Sequence, residues 1–348
     1  MNTKQQVINI PNQVRAPESF IDQNVAWHYG DPLREEKYLT QFETTVDISN
    51  RGVIKITGKD RKTFLHSLTS QHIEKLKEKD STISLLLTPN GHIEHELHVI
   101  NNPEEIYLIV ENASLKSILE FLQKMIFLSQ VEINDVTDEL ATVFESKREV
   151  HNTFPTWLTP LNYLGEPIQD AGTSAGGDPN KYVPKRPGKF SGREILIPRN
   201  DLENYLLNAK YLAGTWALEA LRIAAGVPRV IIDADHRTIP HEIGLIGNAV
   251  HLEKGCYKGQ ETIARVHNLG KPPRKLVLLH LDGSVNRLPK QNSAVIVDGQ
   301  EVGFVGSSAQ HFELGPIALA IVKAKTQVLL NVAVDDIPAT MQDIVVAQ

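Results

Sequence analysis

Apolar residues recur at two periods along this chain, and the switches between the periods predict its elements. From Val46, "VDISNRGVIKITG" alternates as a strand and stops at Gly58. Asp60 then stands where a helix cap belongs, ahead of Phe64, Leu65, Leu68 and Ile73 on one helical side. "STISLLLTPNGHIEHELHVI" reads as two strands about a "PNG" turn, with Ile93, Leu97 and Val99 on one face of the second. "EEIYLIVEN" and "VEINDV" are further strands, and between them Leu115, Ile118, Leu119, Leu122 and Met125 keep helical spacing. Strands and helices in this alternation predict an α+β unit with helices packed on a sheet.

Residues 165–192 are so rich in Gly and Pro that a long surface loop is expected. "YLAGTWALEALRIAAGVP" predicts a helix ended by Gly226 and Pro228, apolar nearly all round and therefore deeply buried. Its charges, Glu219 and Arg222, stand three residues apart and either neutralise each other or reach a site. From about residue 272 short alternating runs and the Asp-Gly pair of "VDGQ" predict a small all-β barrel with a tight hairpin. The first 25 residues, polar and broken by Pro11 and Pro17, read as a loose surface arm.

A mass of 38.8 kDa calls for two or three domains. The average composition is that of a soluble globular protein, and no run approaches the length of a spanning helix. With one cysteine no internal disulfide forms, so a reducing compartment, the cytoplasm, is expected. The chain is acidic, with 36 Lys and Arg against 42 Asp and Glu, which argues against general nucleic-acid binding. Residues 253–275 run the other way: Lys254, Lys258, Arg265, Lys271, Arg274 and Lys275 face only Glu253 and Glu261. That stretch is either a solvated basic face or a place for a small anionic ligand; RNA is a weaker candidate for it.

The single thiol, Cys256, lies inside it, in "KGCYKGQE". Lys254 and Lys258 flank it at two residues' distance, and neighbouring positive charge favours a thiolate. Gly255 and Gly259 permit close approach of a ligand to the main chain, and Gln260 and Glu261 offer hydrogen-bonding ends. A thiol protease lacks its histidine here, and one cysteine is at most a shared ligand of an iron–sulfur cluster. His92, His95 and His98 do not converge on a regular strand, since His95 points away from the other two. "DADHRTIPHE", with Asp233, Asp235, His236, His241 and Glu242, misses metalloprotease spacing and reads as a turn lining something; no metal is expected at either place.

"KGCYKGQETIAR", preceded by "LEALRIAAGVPR" and "IPHEIGL", resembles the folate-binding YgfZ family, relatives of the glycine-cleavage T-protein, an aminomethyltransferase. The likeness runs from about Val46 to the end of the barrel, including "MIFLSQVEINDVT", "RKLVLLHLDG" and "VDGQEVGFVGSS". It implies an α+β, three-domain T-protein-like cloverleaf: a ferredoxin-like domain over 46–140, a second α+β domain from 26–45 and 141–268, and a C-terminal β-barrel over 272–346, after an arm of 1–25. It further implies tetrahydrofolate or a derivative in a central cavity, and support of iron–sulfur cluster assembly or repair in other enzymes through transient contact with those proteins or their carriers. Cys256 would be the key thiol, Gly255 and Gly259 the motif glycines, and Lys254, Tyr257, Gln260, Glu261, Arg265, Arg222 and Glu96 the folate-binding side chains. Two departures stand against classical aminomethyl transfer. His95 and Glu96 occupy the place of the T-protein's Asp-Asp pair, and Phe190 in "KFSGREI" takes that of its folate-contacting glutamate. A folate-dependent one-carbon transferase using Glu96 and Glu242 is the alternative.

Overall fold

The computed structural model describes residues 10–18, 20–150, 153–166, 184–327 and 331–345. Three units meet around one hydrophobic centre. The first is an antiparallel sheet in the order Ser81–Leu87, Ile93–Asn101, Glu105–Val110, Gly52–Thr57 and Glu132–Asp135. Both faces are covered, which is why its strands read as apolar runs. Ile54, Ile56, Leu97, Val99, Ile106 and Leu108 pack under the helices Arg61–Leu68 and Asn112–Lys124. Val53, Ile83, Leu85, Leu87, Tyr107 and Ile109, at the alternate positions, join the central core.

The second unit is the sheet Thr156–Leu158, Arg193–Pro198, Leu140–Glu145, Thr45–Asp47 and Leu212–Ala213, whose last two strands run parallel. Against it lies the helix Thr215–Ala224, ended by Gly226 at φ +68°. The third is the expected closed barrel, in which Arg274–Leu281 pairs with both Gly315–Lys323 and Ile337–Asp343. Val277, Leu279, Ala318 and Ala320 fill its inside, while Leu276, Leu278, Leu319 and Ile321 pack outward on the central core. Its Asp-Gly hairpin forms as read, with Asp298 at φ +46° and Gly299 at φ +77°.

Several expectations give way. "VDISNRGVIKITG" is two strands, Thr45–Asp47 and Gly52–Thr57, placed in different sheets. Asp60 stands at the N-cap of the helix that follows, but its side chain makes no cap hydrogen bond; its Oδ2 accepts from the Gln130 amide at 2.8 Å, pinning the loop before Glu132–Asp135. Ile73 lies beyond the helix in a 3₁₀ turn, Ile73–Lys75. Ile93 does not share a face with Leu97 and Val99. Pairing shifts between Leu86 and Leu87, so that Leu86 opposes His95 while Leu87 opposes Ile93, and the extra residue sends Ile93 into the central core. The arm is not loose over its described residues: Val14–Arg15 pairs with Ala26–His28, and Asp22 is buried against Arg229 and Asn50. Most of the loop over 165–192 lies outside the described residues. No helix among the described residues is long and apolar enough to cross a membrane.

Candidate functional site

The first two units, with the segment 227–236, line a cavity of about 550 Å³. The strand Ile93–Asn101 forms one wall. Beyond the bulge Glu96 and His98 share a face, opposite Leu85 and Ile83, and both project into the space. The second sheet answers with Trp157 and Glu194. His98 stacks flat on Trp157, ring centroids 3.9 Å apart at 4°, and the indole Nε1 donates to the Thr82 carbonyl at 2.9 Å. His98 Nδ1 lies 2.9 Å from Glu194 Oε2 and Nε2 lies 3.3 Å from Glu96 Oε1. Two carboxylates accept from one imidazole only when both nitrogens carry hydrogen, so the ring is an imidazolium. Burial works against that charge, but Glu194 and then Glu96 overcome it and push His98 up to about 10. The clasp joins the two sheets across the cavity.

The third wall is electrostatic. Arg222 Nη2 meets Glu219 at 2.7 Å, while its Nη1 donates to Asp233 Oδ2 at 2.8 Å and to the Val227 carbonyl at 2.6 Å. Both expected roles of the Glu219 and Arg222 pair therefore hold, since the two neutralise each other and line the cavity. Arg229 is held by Asp22 and Glu111, each at 2.7 Å, and Arg51 also pairs with Glu111. Burial opposes the Glu111 charge, yet Arg229 and Arg51 bring its carboxyl down to about 2. Asp233 Oδ1 accepts from the Ser307 amide at 2.8 Å and hydroxyl at 2.7 Å, fastening the network to the barrel. The "DADHRTIPHE" turn lines this space through Asp235 and His236. Asp235 and Glu242 are both taken by Arg274, at 2.8 Å each, and Lys275 by Asp343 at 2.7 Å. The basic stretch is thus partly neutralised by distant carboxylates that its local sequence does not show.

One polar atom of the cavity stands apart. Tyr163, only 2% exposed, lines the space, and its hydroxyl has no hydrogen-bond partner among the described residues. The Arg186 guanidinium lies 4.6 Å from the ring centroid. A buried hydroxyl left without a partner costs free energy, and one facing a cavity fits a ligand that supplies the partner.

The cysteine motif sits behind the first wall, and none of its residues lines the cavity. Gly259, at φ +85°, precedes the helix Gln260–Leu269, and a Cβ there would meet the Thr88 carbonyl at 2.6 Å. The motif is therefore pressed against the Thr88–Gly91 turn of the first sheet. Cys256 is exposed, as are Lys258, Glu261 and Arg265, and Gly255 stands in open space. Lys258 reaches Glu94, a cavity-lining residue, at 3.2 Å. Gln260 does not point outward; its Nε2 donates to the Lys254 carbonyl at 2.9 Å. Lys254 is 2% exposed, its Nζ is 4.9 Å from the centroid of buried Tyr257, and burial lowers its amine to about 8. His66, His72 and His251 adjoin it, with ring centroids 4.6 Å and 5.3 Å apart; burial, then the Lys254 charge, holds His66 down to about 4.

Of the expected folate-binding residues, Glu96 and Arg222 are thus brought together in the cavity, while Lys254, Tyr257, Gln260, Glu261 and Arg265 lie behind it. His98, Glu194, Trp157 and Tyr163 were missed. Glu194 had a signal, since it alternates with Arg193 and Ile195 in "GREI" four residues after Phe190. Its carboxylate enters the cavity that Phe190 also lines, so this strand does bring a glutamate to the site. Among the described residues no group of three or more His, Cys, Asp or Glu is arranged to hold a metal ion.

The model of the GCVT N-terminal domain matches residues 11–144. The crystal structure of the glycine cleavage system aminomethyltransferase T from Bartonella henselae superposes with a TM-score of 0.72 over 95% of this chain and 93% of that one, at 18% identity. Residues 11–144 are thus similar to the GCVT N-terminal domain, and the chain has the T-protein fold. Among its relatives are a putative chloroplastic transferase of Arabidopsis thaliana, 29% identical over 78% of this chain, and the tRNA-modifying protein YgfZ of Colwellia psychrerythraea, 21% identical over 68% of this chain and 71% of that protein. A mitochondrial iron–sulfur cluster assembly factor homologue of Aspergillus fumigatus is 24% identical over 72% of this chain. The chain spans 64% of the length of the Arabidopsis protein and 60% of the Aspergillus one.

Proposed function

We propose that the cavity binds tetrahydrofolate or a derivative, and that the protein uses this ligand, with the exposed thiol of Cys256, to support assembly or repair of iron–sulfur clusters in other proteins. The observation that carries the reading is the polar set inside the cavity. The clasp leaves Glu96 Oε2 and Glu194 Oε1 without a hydrogen bond among the described residues, and the Tyr163 hydroxyl lacks one as well. Two acceptors and a hydroxyl beside the apolar Trp157 and Phe190 suit the edge of a pterin, with its ring amine and amide N–H groups. A volume of about 550 Å³ falls within the range of roughly 300–1,000 Å³ usual for small-molecule sites. Glu96, Glu194 and Tyr163 would hold the head group, with Arg222 fixing the wall beside it. Bound there, the folate supplies a carrier for one-carbon groups.

The motif has a separate task in this reading. Its thiol faces outward, away from the cavity, as contact with a client protein or carrier requires. Gly259 and the Lys258–Glu94 pair connect it to the cavity wall. The Aspergillus relative named for cluster assembly supports this assignment. A strain lacking the protein should lose activity of cluster-dependent enzymes. Wild type should restore it and Cys256→Ala should not; full rescue by that variant removes the thiol from the function.

The second reading, a folate-dependent one-carbon transferase, is favoured by the position of Glu96, whose free oxygen faces the cavity. Purified protein given an aminomethylated lipoyl carrier and tetrahydrofolate decides it. Absence of turnover under conditions where folate is bound rules it out.

A further inference from the structure

The charges around the cavity do not balance: carboxylates outnumber the cations that engage them, and the clasp is one place where they do. Arg51, Arg222 and Arg229 line the space, but each is already engaged by carboxylates: Glu111, Glu219 and Asp233, and Asp22 and Glu111 respectively. Asp235 shares Arg274 with Glu242, and Glu94 pairs with Lys258 at the rim. At the clasp two carboxylates share one imidazolium, which leaves one negative charge uncompensated. Glu96 and Glu194 are 16% and 12% exposed, so water screens that charge poorly. Both residues line the cavity, each with a carboxylate oxygen that no hydrogen bond engages among the described residues, and Tyr163, 2% exposed and with an unpartnered hydroxyl, lines it independently. An anionic group placed here would be repelled, and a neutral one would leave the negative charge as it is. A cationic head group neutralises it.

We propose that the clasp of Glu96, His98 and Glu194 selects its ligand in a positively charged form, so that the cavity prefers a folate whose one-carbon unit is carried as a cationic amidinium over a neutral folate of the same size. This rests on the folate reading above and adds to it the charge state of the ligand. In this role His98 is a positioning residue. Its imidazolium keeps two carboxylates ionised side by side and aligned, while stacking on Trp157 fixes the ring.

The test compares two probes that share the same anionic tail. One is 5,10-methenyltetrahydrofolate, which carries a delocalised positive charge between its two nitrogens; the other is 5-formyltetrahydrofolate, in which that centre is neutral. Binding of each to the full chain is measured by competition at low ionic strength, before the methenyl compound hydrolyses, with its near-ultraviolet absorbance as the check. The cation should bind about tenfold tighter or more, since one unscreened charge at about 5 Å and an effective dielectric of about 20 exceeds the free energy of a tenfold ratio. Glu96→Gln and Glu194→Gln should each abolish most of that ratio, and His98→Gln, which removes the imidazolium that keeps both carboxylates ionised and aligned, should reduce it. Equal affinities of the wild type for the two probes overturn the charge preference and leave the folate reading standing. Failure of the wild type to bind either probe, or tetrahydrofolate itself, overturns both. Because the decisive ratio is measured on wild type, a variant that fails to fold does not remove the test.

Discussion

His98 is the residue on which the cavity chemistry turns, and its protonation follows from two distances. With Glu194 at 2.9 Å and Glu96 at 3.3 Å the charged form is favoured, and the ring is pushed up to about 10 from its ordinary 6.5. A group raised in the folded state binds a proton that the unfolded chain releases between those two values. The clasp's contribution to stability is therefore complete below about pH 6.5 and is lost as pH rises through about 10. Histidine C2–H resonances followed against pH should show His98 titrating near the upper value. Glu194→Gln should bring it back toward the ordinary range; an unchanged midpoint would mean that Glu194 is not its cause. Sequence reasoning put His92 and His98 on one face but passed over the partner at His98, because Glu194 is 96 residues away and no local pattern announces a pairing across two sheets. Glu96 was legible because the family motif marks its position.

At the scale of elements, two features position the site, and only one was readable. The helix Thr215–Ala224 was evident from its apolar surface and its Gly226 stop, and the Glu219–Arg222 spacing pointed to the charged wall. The bulge before Glu96 was not, since a single extra residue leaves no compositional trace, yet it decides which side chains of "HIEHELH" enter the cavity. Asp22 was hidden for a related reason: a polar arm reads as solvated unless the buried arginine that holds it, 207 residues on, is known. Gly306 couples the barrel to this wall. A Cβ there would lie 2.3 Å from Asp233 Oδ1, so Gly306→Ala should displace Asp233 from Ser307 and Arg222. Disturbing a buried ion pair in this way should cost about 2 kcal/mol or more, read as a lower urea midpoint; a midpoint unchanged from wild type would show that the barrel contact is dispensable. Gly259→Ala, which adds a clash with Thr88 at a left-handed backbone position, should loosen the motif segment, with faster amide exchange in the helix Gln260–Leu269 than in wild type.

The whole molecule separates the cavity from the thiol. Folate-binding side chains were expected both in and just after "KGCYKGQE" and at Glu96 and Arg222; the cavity, built from strands and a helix distant in sequence, holds the last two and leaves the thiol outside. The α+β units and the barrel were legible from periodicity because each buries its own apolar face, whereas the cavity belongs to none of them singly. Separation has a consequence that a one-site protein would not show: loss of the thiol should leave ligand affinity intact, and loss of a cavity carboxylate should not. The most direct measurement is calorimetric titration of tetrahydrofolate into wild type, Cys256→Ala and Glu96→Gln. The account predicts saturable one-site binding by wild type, an affinity within about twofold for Cys256→Ala, and a loss of about tenfold or more for Glu96→Gln, the effect of removing one charge-assisted hydrogen bond. Absence of binding by wild type, or undiminished affinity in Glu96→Gln, would contradict it.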